Sequence, residues 1–277
     1  MVTVCVVTYN QEKWIRQTLD SILAQTYTDW RLFVRDDGST DETKAIVEAY
    51  ARRDARIEVV TDGQNIGAKQ SFMSLLEAYG EADYFAFADQ DDVWDAAKLA
   101  ICLEKMQEAE RRYPNSPVVV HTDLRVVDAQ LHEIAPSFWD YCHIRPDILD
   151  DHIRYMAFCA SVTGCAMLFN KAARTCSLPM KENALMHDWW IARQTMLAGG
   201  HVIAVWQTTV AYRQHGNNVL GATAYSVLKK SWHQRIEEAQ RMYVLAHPEI
   251  YANKIQFWWW KMIYTCHRLL TSRKRHG

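Results

Sequence analysis

Short, almost wholly apolar runs alternate with helix-period segments through the first ninety residues, and this rhythm limits the folds open to the chain. Val2–Thr8 is β-branched and apolar, as suits a strand covered on both faces. In Gln11–Gln25, Trp14, Thr18 with Leu19, and Ile22 with Leu23 recur at helical spacing. Trp30–Val34, Ile57–Thr61 and Tyr84–Ala88 read as further strands, and Ala68–Tyr79 as a helix. Ser39 followed three residues later by Glu42 is a capping-box signature, which predicts a helix running to about Asp54. Strands and helices in this order imply βαβ units, hence an α/β fold with a Rossmann-like, mostly parallel sheet flanked by helices.

Beyond the helix expected at Ala96–Arg112 the rhythm changes. Val118–His121, Val126–Val127, Val162–Phe169 and His201–Trp206 are strand-like, Asp188–Leu197 is helical, and an irregular stretch reaches about Asp151. Two longer helical patterns close the chain, Ser226–Leu245 and Ala252–Thr271. The expected organisation is an α/β domain over residues 1–222 and a helical extension over residues 223–277.

Charge divides along the same line. Residues 1–223 carry 21 Lys+Arg against 30 Asp+Glu, and residues 224–277 carry 10 against 3. An acidic body argues against nucleic acid as a partner, while the basic tail suits an anionic surface. The seven cysteines are scattered without a CxxC pair, the pattern of unpaired thiols in a reducing compartment. No run of 18 apolar residues and no signal-peptide layout is present, so the expected location is the cytoplasm.

The chemistry is legible in where the acids fall. Ligands of parallel α/β sheets bind beyond the carboxyl ends of the strands. Asp36 and Asp37 follow the second expected strand; Asp89, Asp91 and Asp92 follow the fourth. Acids so placed repel unless a cation lies between them, and Mg²⁺ or Mn²⁺ favours carboxylate and phosphate oxygens. Neither GxGxxG nor GxxxxGK[ST] occurs, so phosphate would be neutralised by metal and side chains. Asp41 and Asp95 read as helix caps.

Val6-Val7-Thr8-Tyr9-Asn10, Asp36-Asp37-Gly38-Ser39-Thr40-Asp41, Asn65-Ile66-Gly67 and Asp89-Gln90-Asp91 together resemble the ordered motifs of glycosyltransferase family 2, with its GT-A fold, over about residues 1–220. The resemblance implies a transferase using a nucleoside diphosphate sugar (dTDP or UDP). Thr8, Tyr9, Asn10, Glu12, Asn65, Gly67 and Gln90 would line the nucleotide pocket, Asp37 would bond the base, and Asp89 would lie near the ribose. Asp91, last residue of the DxD-type motif, would hold the metal, and His215, in the loop after the last strand, matches a family position that completes the metal site. His187-Asp188-Trp189-Trp190 resembles the acidic motif at the acceptor site, usually Glu-Asp; here His187 replaces the first acid and leaves Asp188 as the local carboxylate base. Arg213 could meet phosphate charge, and Trp94, Trp189 and Trp190 could face sugar rings or fill the core.

Asp89–Trp94, Val162–Lys171 and His187–Trp190 are further similar to bacterial rhamnosyltransferases of polysaccharide assembly, which implies dTDP-L-rhamnose as donor. UDP-hexoses and UDP-N-acetylhexosamines stay open, as do a sugar nucleotidyltransferase and a non-catalytic sugar-nucleotide binder. In the last helical pattern Ile255, Trp258, Met262, Cys266 and Leu269 share a face flanked by Trp259, Trp260, Lys261 and Arg268. Such a helix can lie in a bilayer interface or pack on the protein, and a glycan or lipid-linked acceptor at the inner membrane face would suit the first case.

Overall fold

The computed structural model describes residues 1–150, 152–156, 161–216, 232–246 and 249–272. Cys159, Asn217, Asn218, Ser226 and the basic end beyond Ser272 lie outside the described residues. By contacts the chain divides into two compact units, Met1–Phe138 with Val162–Ala222, and Trp139–Ser161 with Thr223–Gly277.

The first unit is built on one mixed sheet. Its strands are β1 (Val2–Thr8), β2 (Trp30–Asp36), β3 (Ile57–Val60), β4 (Tyr84–Asp89), β5 (Val93–Trp94), β6 (Val118–Val127), β7 (Glu133–Ala135), β8 (Met167–Asn170) and β9 (His201–Arg213). The spatial order is β3-β2-β1-β4-β8-β6-β9-β5, with β7 alongside β6. β1 to β4 are mutually parallel, and β8 runs against both β4 and β6. All seven residues of β1 are buried, which explains why that run lacks alternation. Helices α1 (Ile15–Leu23), α2 (Thr43–Ala51), α3 (Ala68–Ala78) and α4 (Lys98–Arg112) cover the sheet. α1 buries Ile15, Thr18, Leu19 and Ile22, the apolar stripe its spacing predicts.

Register places the acids. Thr8 pairs with Asp36 and Val7 with Asp89, so the carboxyl ends of β1, β2 and β4 lie side by side. Chain reversals then hold the next segment. Thr18 Oγ1 donates to the Asp92 carbonyl at 2.8 Å, Gln25 Nε2 to the Asp95 carbonyl at 2.8 Å, and the Leu99 N–H to Gln25 Oε1 at 3.0 Å. Trp94 is thereby drawn into the core, with Lys98 Nζ 3.8 Å from its ring centroid.

Several elements differ from their sequence expectation. Ser39 does not cap α2; its Oγ accepts from the Asn10 N–H, while Asp41 Oδ1 accepts from the Thr43 N–H at 3.0 Å. The expected strand Val162–Phe169 starts only at Met167, because Gly164–Ala166 form a 3₁₀ turn. β6 is one strand of ten residues where two fragments were expected. β9 runs on to Arg213: Thr122 pairs with Val205 and Asp123 with Thr208, so Trp206 and Gln207 bulge out and interrupt the apolar pattern.

Between β8 and β9 lie α8 (Lys171–Ser177) and α9 (His187–Leu197), preceded in the chain by α5 (Phe138–Cys142), α6 (Pro146–Leu149) and α7 (Ile153–Met156). The second unit contains α6, α7, α10 (Trp232–Ala246) and α11 (Lys254–Ser272), with Phe257 against Ala239, Ala246, Ile250 and Tyr251, and Tyr264 against Ile148, Leu149 and Tyr155.

At the amino end of β4 and the carboxyl end of β8 a cleft of about 460 Å³ is lined by Asp83, Tyr84, Glu110, Asn170 and Lys171. Its polar groups bond one another: the Tyr84 hydroxyl and Asn170 Nδ2 both donate to Glu110, at 2.8 and 3.1 Å. Asn170 Oδ1 also accepts from the N–H groups of Val118 and Ala173, each at 3.0 Å, capping α8 and tying β6 to it. Asn170→Ala orphans these buried donors, so we expect a loss of about 1–3 kcal/mol in urea unfolding. Nucleotide binding at the opposite strand ends should be unchanged.

Candidate active site

Backbone N–H groups of the loop before α3 close around Asp37. Ile66 and Gly67 donate to its two carboxylate oxygens at 3.1 and 2.8 Å, and Ser71 Oγ donates at 2.8 Å. Gly67, at φ +81°, supplies a backbone conformation that L side chains rarely adopt. Arg35, buried beside Asp37 at 3.5 Å, reaches outward to Asp62 at 3.0 Å. Asp37 is 2% exposed and in this state secures the Asn65–Gly67 loop. The expected contact to a base would need one of its oxygens to accept a further donor.

The turn after β1 is buttoned to the turns after β2 and β4. The Tyr9 N–H donates to Gln90 Oε1 at 2.7 Å, and Asn10 Oδ1 accepts from the Thr40 N–H at 2.8 Å. Asp41 Oδ2 accepts from the Glu12 N–H, and Glu12 Oε2 accepts from the Glu42 N–H. Thr8, Tyr9, Asn10, Glu12 and Gln90 are thus brought together, with the Tyr9 side chain 45% exposed. Beneath them Thr8 Oγ1 and Asp36 Oδ1, at paired register positions, are buried without a hydrogen-bond partner.

The end of β4 carries the densest charge. Asp91 Oδ2 lies 2.6 Å from His215 Nε2, and the His215 ring stacks on Trp14 at 4.4 Å between centroids. The loop after β9 therefore reaches the DxD segment, bringing together two residues 124 apart in sequence. Burial, then the negative charges of Asp91 and Asp188, push the Asp89 carboxyl up to about 7. Asp92 is raised well above the usual carboxylate range by burial and by Asp91 and Asp89. Its Oδ1 accepts from the Arg213 N–H at 2.9 Å. Oxygens of Asp89 and Asp92 and the sulfur of Cys165 all lie within 4.8 Å of one another.

Arg213 points inward. It is 1% exposed; Nε donates to the Asp91 carbonyl at 2.7 Å, Nη1 to the Ala129 carbonyl at 2.7 Å and Nη2 to Gln17 Oε1 at 2.5 Å. Where the sequence offered it to a phosphate, the structure spends its donors on holding the DxD loop from below. The reason is that Arg213 ends a strand instead of opening a loop. Nothing in its own sequence neighbourhood signalled that role, nor that of Gln17.

On the other flank Asp188 lies in the first turn of α9. It accepts from the Gly164 N–H at 2.9 Å and from its neighbour Trp189 N–H at 2.7 Å. His187 is 3% exposed, stacked on Phe72 at 4.4 Å and edge-on to Phe87 at 5.0 Å. Burial lowers its pKa, so the imidazole is held neutral, and neither ring nitrogen has a hydrogen-bond partner. A Cβ on Gly164 would come within 3.1 Å of His187 Nε2, which accounts for glycine there. Trp190 is buried, its Nε1 donating to the Ser177 carbonyl at 2.7 Å; with Trp94 it belongs to the interior, and the half-buried Trp189 is the remaining aromatic of the three.

The donor set of Asp91 carboxylate and His215 imidazole, with Asp89 adjacent, suits a divalent cation of the Mn²⁺ or Mg²⁺ kind. The raised Asp89 carboxyl also fixes a sign. It keeps a proton in the fold at pH values where the unfolded chain has released it, so its stabilising contribution is present below about pH 4 and lost as pH rises through about 7. The contribution of Asp89 to the thermal midpoint of metal-free protein should therefore fall between about pH 4 and pH 7. Asp89→Asn, which cannot ionise, should flatten that fall; an unchanged slope would contradict the assignment.

Comparison with known proteins meets this geometry. The family model described as "Glycosyl transferase family 2" matches residues 3–175. The putative teichuronic acid biosynthesis glycosyltransferase TuaG of Bacillus subtilis is 27% identical over 235 residues, covering 84% of this chain and 86% of TuaG. The dTDP-rhamnosyl transferase RfbG of Shigella flexneri is 26% identical over 240 residues, covering 78% and 73%. Among solved structures, the mannosyltransferase PcManGT of Pyrobaculum calidifontis, in complex with GDP-Man and Mn²⁺, superposes with a TM-score of 0.58 at 19% identity. That likeness covers 88% of this chain and 63% of PcManGT, and it shows the GT-A fold. With more than half of its length matched by the family model and the motif acids gathered at one end of the sheet, the chain belongs to glycosyltransferase family 2.

Proposed function

We propose that the chain is an inverting, metal-dependent transferase of cell-surface polysaccharide synthesis, moving a sugar from a nucleoside diphosphate to a hydroxyl of a glycan or lipid-linked acceptor. The observation that carries this reading is the convergence of Asp89, Asp91 and Asp188, from β4, its following loop and α9, with His215 on Asp91. Relatives named for teichuronic acid synthesis and for rhamnosyl transfer support the polysaccharide setting.

In this reading the turn after β1, with Tyr9 outermost, and the loop at Asn65–Gly67 receive the nucleoside. Asp91 and His215 would hold the divalent cation, which when bound would neutralise charge on the diphosphate. Asp188 takes the proton of the acceptor hydroxyl as that oxygen bonds to the anomeric carbon. The bond from that carbon to the phosphate oxygen breaks on the opposite face, so the nucleoside diphosphate leaves and the configuration inverts. The Gly164 and Trp189 N–H groups hold one Asp188 carboxylate oxygen each, and each oxygen retains a lone pair for the incoming proton.

L-Rhamnose from dTDP-L-rhamnose is the favoured donor, supported by the three motif stretches and by the likeness to RfbG. A UDP-hexose or UDP-N-acetylhexosamine is the alternative. Binding to the folded state alone raises apparent stability by mass action, so a thermal-shift panel of these donors with Mn²⁺ separates them. The largest shift should come from dTDP-rhamnose; a larger one from a UDP-sugar would reassign the donor.

Asp188→Asn should lower the transfer rate by about two to four orders of magnitude. Mn²⁺-dependent nucleotide binding should persist, because the substitution leaves Asp91 and His215 in place. Undiminished turnover in this variant would remove Asp188 from the mechanism.

A further inference from the structure

Helix α11 (Lys254–Ser272) is apolar on two opposite sides, and one of them is exposed among the described residues. Phe257, Trp260 and Tyr264, three and four residues apart, make the inner side. Phe257 and Tyr264 are buried, while Trp260 stacks on His152 at 4.9 Å and meets Tyr155 edge-on at 5.3 Å. At roughly 100° per residue, positions 255, 258, 259, 262 and 266 fall on the far side. Ile255 is 82% exposed, Trp258 43%, Trp259 52% and Met262 58%, and Cys266 is exposed as well. Trp259 thus joins the stripe expected from sequence, and Trp260 leaves its flank for the interior.

Two indoles, a thioether and an isoleucine in one outward stripe are more than scattered surface apolarity, which needs no explanation. Charge identifies the partner. Residues 250–277 hold six Lys+Arg and no Asp or Glu. Lys254 and Lys261 are one heptad apart and so share a flank of the stripe, a spacing that Arg268 continues in the sequence. A second copy of the same face would set these cations against each other across a two-fold axis. Anionic lipid headgroups would meet them with opposite charge, and indole rings favour the boundary between headgroups and acyl chains. No helix among the described residues is long and apolar enough to cross a membrane, so the contact is with a surface.

We propose that the outer stripe of α11 docks on an anionic bilayer, with Trp258, Trp259 and Met262 entering the interfacial layer and the basic residues lying among the headgroups. The docking stands apart from the transferase reading and deepens it by placing the protein where a lipid-linked acceptor would be.

Flotation of the full chain with phosphatidylcholine vesicles, with and without phosphatidylglycerol, tests this. Wild-type protein should float with the anionic vesicles, weakly with the neutral ones, and less as salt is raised. Replacing Trp258, Trp259 and Met262 together by Ser strips the outer stripe, at the cost of the edge-on contacts of the two indoles with Phe257 and Trp260, and should cut the bound fraction about tenfold or more. Failure of the wild type to float, equal flotation of the variant, or a concentration-dependent dimer that the variant dissociates would each overturn the proposal. Mn²⁺-dependent nucleotide binding, measured in both proteins, reports the fold and the transferase reading separately: its loss in both would sink that reading and leave the lipid result standing.

Discussion

Asp89, Asp91, Asp92 and Asp188 gather at one end of the sheet, and like charges so placed raise the free energy of the fold unless protons, donors or cations answer them. The structure shows the first two of these answers. Asp89 and Asp92 are driven toward their protonated forms. Backbone N–H groups of Gly164, Trp189 and Arg213 bond Asp188 and Asp92. His215 sits on Asp91. Much of the surrounding architecture follows from the need to keep these groups apart yet adjacent. Arg213 holds the DxD loop by the Asp91 carbonyl, so a cation positions the loop through its backbone.

A protein that accepts this crowding gives up stability at its functional site. The remainder of the sheet offsets the loss. β1 is wholly buried between two parallel neighbours, and α1 with the residues just after it is sewn to the segment after Asp91 through Thr18, Ser21 and Gln25. The carboxylate end is therefore set on rigid elements, as precise positioning requires. Loops contribute the residues, but each is tied to its neighbour by side chains at its base, as Asp41 and Glu12 show.

The first four strands and their helices were legible because each signal was local: continuous apolar runs, a 3.6-residue period, acids just past the strand. Legibility failed where pairing decided the matter. β9 continues past Trp206 because Trp206 and Gln207, and then Thr209, fall out of its pairing with β6, and no window of sequence reveals a partner's register. Ser39 carried a capping signature yet bonds Asn10, because the neighbouring turn was closer than its own helix. Arg213 looked like a loop cation and proved to be a buried clamp. The acids themselves were visible in sequence; the meeting of Asp91 with His215 was an expectation from family pattern, since residue spacing says nothing about contacts 124 positions apart.

His187 shows how a departure from pattern can be read physically. The family motif usually places an acid before the aspartate, and a further carboxylate here would add charge to a site already crowded with it. A buried imidazole held neutral by desolvation adds none. It also fills the space between Phe72, Phe87 and Gly164, and the N–H of that glycine bonds Asp188. The ring thus bears on Asp188 through shape as well, lying against the 3₁₀ turn that presents the Gly164 N–H. With the neighbouring acid gone, Asp188 is the carboxylate of its motif, and its orientation rests on one backbone donor from the turn and one from its own helix.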